Sequence, residues 1–455
     1  MPRLGPRVVI AGTHSGAGKT TVATGLMAAL RARGHAVASA KVGPDFIDPG
    51  YHSLATGRPG RNLDAWMCGV DAMGPLAARA GAGADVLVVE GVMGLFDGAA
   101  DGTPSSTADV AALLDAPVVL VVDASATSQS IAAVVHGFAT YAPSGERSGP
   151  GVAAVVLNQV GSPGHERMLR DAIEPLGIPV LGALHRDDAF AWRDRHLGLV
   201  PVVEQEAEVA RALAHLASAI DSSCDLDAIL ELARRAPAAN VGEVALPPKT
   251  ASARVAVAAG PAFSFSYPDN VEALVAAGAE VETFDPLTSS RLPDCDALVA
   301  GGGFPEVFAK ELSDNRPLLD DLAARVERGL VVWAECGGLL WLARSLDGSA
   351  MAGVIDATST MTDRLTLGYR RATTRCATPL GPAGTELRGH EFHYSATEPD
   401  GDALDLVGRL GAGRGGFGHE RLLASYLHVH LGAAPDVAGA FVSCAAAART
   451  GSAPT

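Results

Sequence analysis

Short runs of small and β-branched apolar residues recur through the first half of the chain: RVVIAG, AVASAKVG, DVLVVEG, APVVLVVDA, GVAAVVLNQ and IPVLGAL. Ala- and Leu-rich helical stretches separate them. Runs that are apolar throughout, instead of alternating, belong to strands buried on both faces. With helices between them they dictate a parallel, doubly wound α/β sheet, whose ligands sit outside the carboxyl ends of the strands. Around LPPKTASA, Leu246 to Ala253, prolines enter and periodicity is lost, which reads as a linker. A second strand series then starts afresh with RVAVAAG, AEVETFDP, CDALVAGGG and GLVVWAEC. The expected partition is a first domain over 1–245, a linker over 246–253, a second α/β domain over 254–445 and a flexible tail over 446–455. At 455 residues the chain is too long for one ordinary core.

Composition removes several classes of function. Hydrophobic residues make up 48% and charged ones 19%, which excludes a disordered chain. A formal charge of −16, with Lys19, Lys41, Lys249 and Lys310 the only lysines, argues against a nucleic-acid surface. The six cysteines lie far apart with no C-x-x-C pair, so neither zinc site nor disulfide framework is expected. There is no signal-peptide pattern, and APVVLVVDA is too short to cross a bilayer. A soluble, cytoplasmic protein is the expectation.

VVIAGTHSGAGKTTVATGL places a glycine turn between a strand and a helix, with Gly16, Gly18, Lys19, Thr20 and Thr21 in the order of a phosphate-binding loop. The first glycine is Gly12, one position earlier than the common pattern, where Thr13 stands. Backbone N–H groups of such a turn meet phosphates, Lys19 meets the terminal ones, and Thr20 is suited to Mg²⁺. The strand in DVLVVEG ends with Glu90, where nucleotide hydrolases carry a metal-side acid. KVGPDFIDPGYH gathers Asp45, Asp48 and His52 after a strand, and GVMGLFDG carries Asp97. Carboxylates at strand ends beside a phosphate site fit a metal and an acceptor pocket, although each aspartate alone is equally well a turn former.

In the second half, GLVVWAECGGLLWLA is strand, sharp turn and helix, with Cys336 at the turn. This is the pattern of a nucleophile elbow. A lone cysteine is more often inert core, but ALVAGGGFPEVF offers a glycine turn whose backbone N–H groups suit an oxyanion, with Gly302, Gly303 and Gly337 as candidates. ASYLHVHL supplies His428 and His430, expected on one face of a strand.

GGGFPE, the Cys336 elbow and the late histidine resemble the class I, triad-type glutamine amidotransferases, which release ammonia through a cysteinyl thioester. His428 matches the base of that family's His-x-Glu, whereas His430 stands where its acid would be. The resemblance therefore implies a Cys–His dyad, as in the cobyrinic and cobyric acid synthase branch. RGHEFHYS also resembles that branch, with His390, Glu391 and His393 read as supporting the site and His390 or His393 as second choices for the base. Over nearly the whole length, GTHSGAGKTT, KVGPDFIDPGYH, VEGVMGLFDG, VVLNQV, RHLGLVP, GGGFPE, AECGGL, RGHEFHYS and SYLHVHL follow the order seen in cobyrinic or hydrogenobyrinic acid a,c-diamide synthases. The first half resembles dethiobiotin synthetase, whose loop carries the same early glycine.

That resemblance implies a P-loop ATP domain followed by a flavodoxin-like amidotransferase domain. It also implies a ligase that activates acetate carboxylates as acyl phosphates and amidates them, with ATP, L-glutamine and a corrinoid acid as small-molecule substrates and Mg²⁺ as cofactor. Gly12, Thr13, Gly16, Ala17, Gly18, Lys19, Thr20 and Thr21 would bind ATP and Asn158 would read its base. Thr20, Asp48 and Glu90 would hold Mg²⁺. Asp45, Asp48, Asp97 and His196 would line the carboxylate site. A homodimer is compatible with it; nucleic-acid or membrane partners are not expected. Rival readings are a partner-regulated ATPase of the chromosome-partitioning type with an inactive second half, which would have no use for the Cys elbow, and diamidation of nickel-sirohydrochlorin.

Overall fold

The computed structural model describes residues 2–142, 151–186, 194–195, 198–199, 206–249, 251–409 and 411–450. It divides into two compact units, Met1–Val244 and Ala245–Thr455.

The first unit is built on seven parallel strands. Their spatial order is Arg61–Leu63, Val37–Val42, Val86–Glu90, Arg7–Gly12, Val118–Asp123, Val152–Val160 and Val180–His185. Every residue of the two strands Arg7–Gly12 and Val86–Glu90 is buried, as uniformly apolar runs require. Arg7 and Glu90 are the two charged exceptions, and Arg7 is matched locally. Its guanidinium donates to the carbonyls of Leu114, Gly5 and Pro237, so a buried cation is matched by backbone oxygens. The helix Lys19–Ala32 follows the central strand and turns Val22, Leu26, Met27 and Leu30 inward. The central strand's carboxyl end therefore opens directly onto this helix's N-terminus, flanked by the ends of Val86–Glu90 and Val118–Asp123.

The second unit carries a six-stranded sheet in the order Ala279–Phe284, Ala253–Ala258, Ala297–Ala300, Val331–Glu335, Leu422–Ser425 and Phe417–His419. The first five are parallel and the last is antiparallel. Trp333 and Trp341 fill its two faces. A second sheet of seven strands is organised around the antiparallel pair Thr358–Thr374 and Glu386–Glu398, onto which the short strand His428–Val429 adds. No sequence periodicity marks this long pair, because its first strand breaks register between Met361 and Thr366 and keeps much of its length exposed.

Both parallel series anticipated from sequence form as expected. Two boundaries move. Ala253, assigned to the linker, already pairs with Ala279. The helix Pro435–Thr450 takes in residues 446–450, read as tail: AAAART is strongly helix-forming, and Ala446 and Ala448 pack on the core. Among the described residues no helix is long and apolar enough to cross a membrane.

Candidate active site

The turn after Arg7–Gly12 has the backbone its glycines allow, with Gly16 and Gly18 at φ +83° and +95°. A side chain at Gly18 would collide with Asn158 Nδ2. Asn158 Nδ2 donates to Ala17 O at 3.1 Å and its side chain is buried. Asn158 thereby grips the phosphate loop from near the end of its own strand. Lys19 curls back so that Nζ donates to His14 O at 3.0 Å. Burial, reinforced by the nearby Lys41 charge, brings the Lys19 ammonium down to about 8 against the pull of Glu90, Asp48 and Asp97.

Thr20, Asp48 and Glu90 converge. Thr20 Oγ1 donates to Glu90 Oε1 at 2.7 Å and lies 3.4 Å from Asp48 Oδ2. Between the two carboxylates sits Lys41, which the sequence reading passed over: its Nζ is 2.6 Å from Asp48 and 2.8 Å from Glu90, with a third bond to Gly91 O. The signal was present in KVGPDF, a lysine inside an otherwise apolar strand. His52 Nε2 completes the cluster 2.6 Å from the other Glu90 oxygen. Burial opposes charge on Glu90, yet Lys41 and His52 outweigh it and hold this carboxyl below the usual range. Burial and Asp45 push Asp48 upward against Lys41. Lys41 itself is raised, since the charges of Asp48, Glu90 and Asp45 overcome its desolvation.

Asp45 and Asp97 shape turns. Asp45 Oδ1 accepts from Ile47 N and Asp48 N, and Asp97 Oδ2 accepts from Gly94 N. The loop carrying Asp97 lies against the phosphate loop, with Leu95 N donating to Gly12 O at 2.9 Å. Asn62, another residue the sequence reading missed, holds the Asp45 turn through Gly43 O and Asp45 O. His196 lies outside the described residues.

In the second unit Cys336 stands at φ +47°, ψ −101°, a strained conformation for a residue with a Cβ and the mark of a nucleophile elbow. Its N–H is fixed by Ser425 O at 2.8 Å, and Gly338 N–H by Gly301 O at 2.9 Å. Gly303 and Gly337 lie beside one another: a Cβ on Gly337 would be 3.2 Å from Gly303 N. Gly302 backs onto the ring of His428, so a Cβ there would come within 2.5 Å of Cε1.

His428 is fully enclosed, and Cys336 and His428 share a hydrogen bond. Burial works against charge on the ring, but the contacts with Cys336 and Glu335 prevail and push it up to about 10. Beside the expected Cys–His pair the structure places a carboxylate, Glu335. The His-x-Glu acid is missing from its usual place, yet the residue before Cys336 brings a buried carboxylate within 3.6 Å of His428 Nδ1. His430 does something else: the strand ends at Val429, and His430 Nδ1 accepts from Gly432 N while its ring packs on Tyr267. His390 stacks on His428 with centroids 5.0 Å apart, and burial and the His428 charge keep it well below ordinary histidine. His393 stacks on Tyr426, is lowered by burial to about 4, and bonds Ser395 O. Glu391 pairs with Arg370 at 2.7 Å. Neither histidine is arranged as the base; both border it.

A phosphate loop with an acidic cluster in one unit and a cysteine elbow with its histidine in the other define a nucleotide-binding, glutamine-dependent amidotransferase. Comparison with known proteins agrees for each part. Residues 8–200 match the CobQ/CobB/MinD/ParA nucleotide binding domain, and residues 254–435 the CobB/CobQ-like glutamine amidotransferase domain. A hydrogenobyrinate a,c-diamide synthase of Streptomyces coelicolor is 49% identical, over 96% of this chain and 97% of its own. One of Mycobacterium tuberculosis is 45% identical over 96% and 98%. A cobyrinate a,c-diamide synthase of Dehalococcoides mccartyi is 42% identical over 96% and 97%. The chain belongs to the hydrogenobyrinate and cobyrinate a,c-diamide synthase family, ligases that take their amide nitrogen from glutamine.

Proposed function

We propose that this protein amidates the a- and c-acetate carboxylates of a corrinoid acid, with metal-free hydrogenobyrinic acid as the favoured ring. The observation that carries the reading is the graded, near full-length likeness. Relatives named for hydrogenobyrinate are 45–49% identical, those named for cobyrinate 40–43%.

The chemistry joins the halves. A carboxylate resists ammonia until one oxygen becomes a leaving group. Transfer of the γ-phosphoryl group of ATP to a carboxylate oxygen gives an acyl phosphate and ADP; ammonia then attacks the acyl carbon and phosphate departs, leaving the amide. Lys19 and the backbone of residues 12–21 hold the phosphates, with Asn158 keeping the loop in shape. Asp45 and Asp97 order the two loops that border the acceptor. Thr20, Asp48 and Glu90 present hard oxygen donors of the kind Mg²⁺ prefers, and two carboxylates with a hydroxyl leave room for nucleotide phosphates to complete its shell. The ion would supply charge neutralisation at the transferred phosphoryl group.

Ammonia comes from glutamine. The Cys336 thiolate, paired with the His428 imidazolium, attacks the side-chain amide carbon; Gly303 and Gly337 N–H groups face the oxyanion; His428 gives its proton to the departing ammonia. Water then cleaves the thioester to glutamate and regenerates the thiol.

The test is mass spectrometry of product after incubation with ATP, Mg²⁺ and glutamine, in parallel with hydrogenobyrinic acid, cobyrinic acid and nickel-sirohydrochlorin. A diamide formed fastest from hydrogenobyrinic acid is expected. Conversion of the nickel tetrapyrrole alone would replace the corrinoid reading.

A further inference from the structure

The amidotransferase half has a base without the acid that usually orients it. Three acids or polar groups lie near enough in sequence or space to be considered. His430, at the usual position of that acid, is engaged as acceptor for Gly432 N–H and packed on Tyr267. Glu391 is paired with Arg370. Glu335 remains. Its Oε1 accepts from Val429 N at 2.9 Å, so the residue following His428 fixes the carboxylate, and its Oε2 faces His428 Nδ1 at 3.6 Å. The side chain is 7% exposed. Among the described residues no Lys or Arg ion pair reaches it, and a buried carboxylate without a cation is costly.

We propose that Glu335, the residue immediately before the nucleophile, is the positioning acid of this glutaminase site, replacing the acid of the usual His-x-Glu. One strand end thereby delivers both members that flank the histidine: Glu335 points to Nδ1, and Cys336 follows on the elbow. The carboxylate selects the tautomer with hydrogen on Nδ1, leaving Nε2 to exchange a proton with the Cys336 thiol and then with departing ammonia. The protons exchanged pass between Cys336, His428 and ammonia, and none is passed to Glu335. The other titratable groups facing the ring support the assignment. His390 stacks on it and is kept neutral by burial, and His393 and Tyr426 stack on one another alongside. The inference rests on the reading of Cys336 and His428 as a glutaminase, and not on which tetrapyrrole is amidated.

Glu335→Gln is the informative change, because the amide oxygen can still accept from Val429 N–H while the charge disappears. Glutamine hydrolysis, followed as glutamate release, is expected to fall about 10²-fold in kcat. The alkaline limb of its pH profile should move down by about 1–2 pH units, since loss of the carboxylate makes the imidazolium easier to deprotonate. Amidation with added ammonium salt should be unchanged, which also reports that the chain is folded. His430→Asn, which can keep a cap to Gly432 N–H, should leave both rate and limb as they are. Should Glu335→Gln be insoluble, Glu335→Asp keeps the charge at a longer reach: kcat should drop while the alkaline limb stays in place. Retention of glutaminase within about 3-fold with an unmoved limb in Glu335→Gln, a moved limb in Glu335→Asp, or the full effect in His430→Asn would overturn the assignment. If wild type itself fails to hydrolyse glutamine, the glutaminase reading falls first.

Discussion

Gly302→Ala isolates what the approach of a glycine to a catalytic ring is worth. Gly302 is not among the residues with positive φ, so alanine fits the backbone and the change is purely one of space. The new Cβ would stand 2.5 Å from His428 Cε1, 3.3 Å from Nε2 and 3.4 Å from Phe265 Cβ. Ordinary carbon contacts settle at about 3.5–4.0 Å, so ring or backbone has to yield by about 1 Å. The ring cannot retreat freely: it is 1% exposed, with His390 stacked on it and Glu335 at its far nitrogen. Overpacking of this kind costs about 1–3 kcal/mol of stability, and a displacement of about 1 Å at a reacting group costs about 10²-fold in rate. Glutamate release and the rate of Cys336 alkylation by iodoacetamide would both be measured, with ammonia-driven amidation as the internal reference. The expected pattern is a roughly 10²-fold loss of glutaminase against an intact ammonia-driven reaction. Glutaminase within about 3-fold of wild type would mean that the ring absorbs the methyl group without losing register, and the packing argument would be refuted.

Cys336→Ser should lower glutamine-driven amidation by about 10³-fold or more while leaving the ammonia-driven reaction in place; product formed from glutamine at the wild-type rate would remove Cys336 as nucleophile. Glu90→Gln should depress amidation from either nitrogen source yet spare glutamine hydrolysis, measured as glutamate release. Lys41→Met strands Asp48 and Glu90 in the interior and should destabilise the first unit by about 3–5 kcal/mol, read by calorimetry from the transition that ATP shifts. Adding Glu90→Gln to Lys41→Met should recover part of that loss; strictly additive losses would show that the two groups are not coupled.

Much of the architecture was legible in the chain because the strands of a parallel sheet announce themselves. VVIAG and VLVV are apolar at every step, since helices cover both faces, and glycines at 16 and 18 leave few other uses for the turn they make. The long antiparallel pair in the second unit was not legible, because Thr358–Thr374 is mixed in polarity and its partner lies beyond a turn. Site residues divide the same way. Lys19 and Thr20 open the helix after the glycine turn, Glu90 ends a strand, Cys336 stands at the elbow and His428 begins a short strand, positions that local pattern identifies. Lys41 was visible as a lysine in a buried run, but its partners are 7 and 49 residues away in number and only folding brings them within 2.8 Å.

The amino-acid order by itself determined the two strand series, the phosphate turn and the elbow, because these depend on local hydrogen bonding and on periodicity of burial. Which acid serves His428 was decided only by tertiary structure. Glu335 and His428 are 93 positions apart, and their 3.6 Å approach exists because Val331–Glu335 lies beside Leu422–Ser425 in one sheet, with Val429 N–H clamping the carboxylate. Charges buried at the ends of neighbouring strands find their partners across the sheet, and no spacing along the chain records that distance.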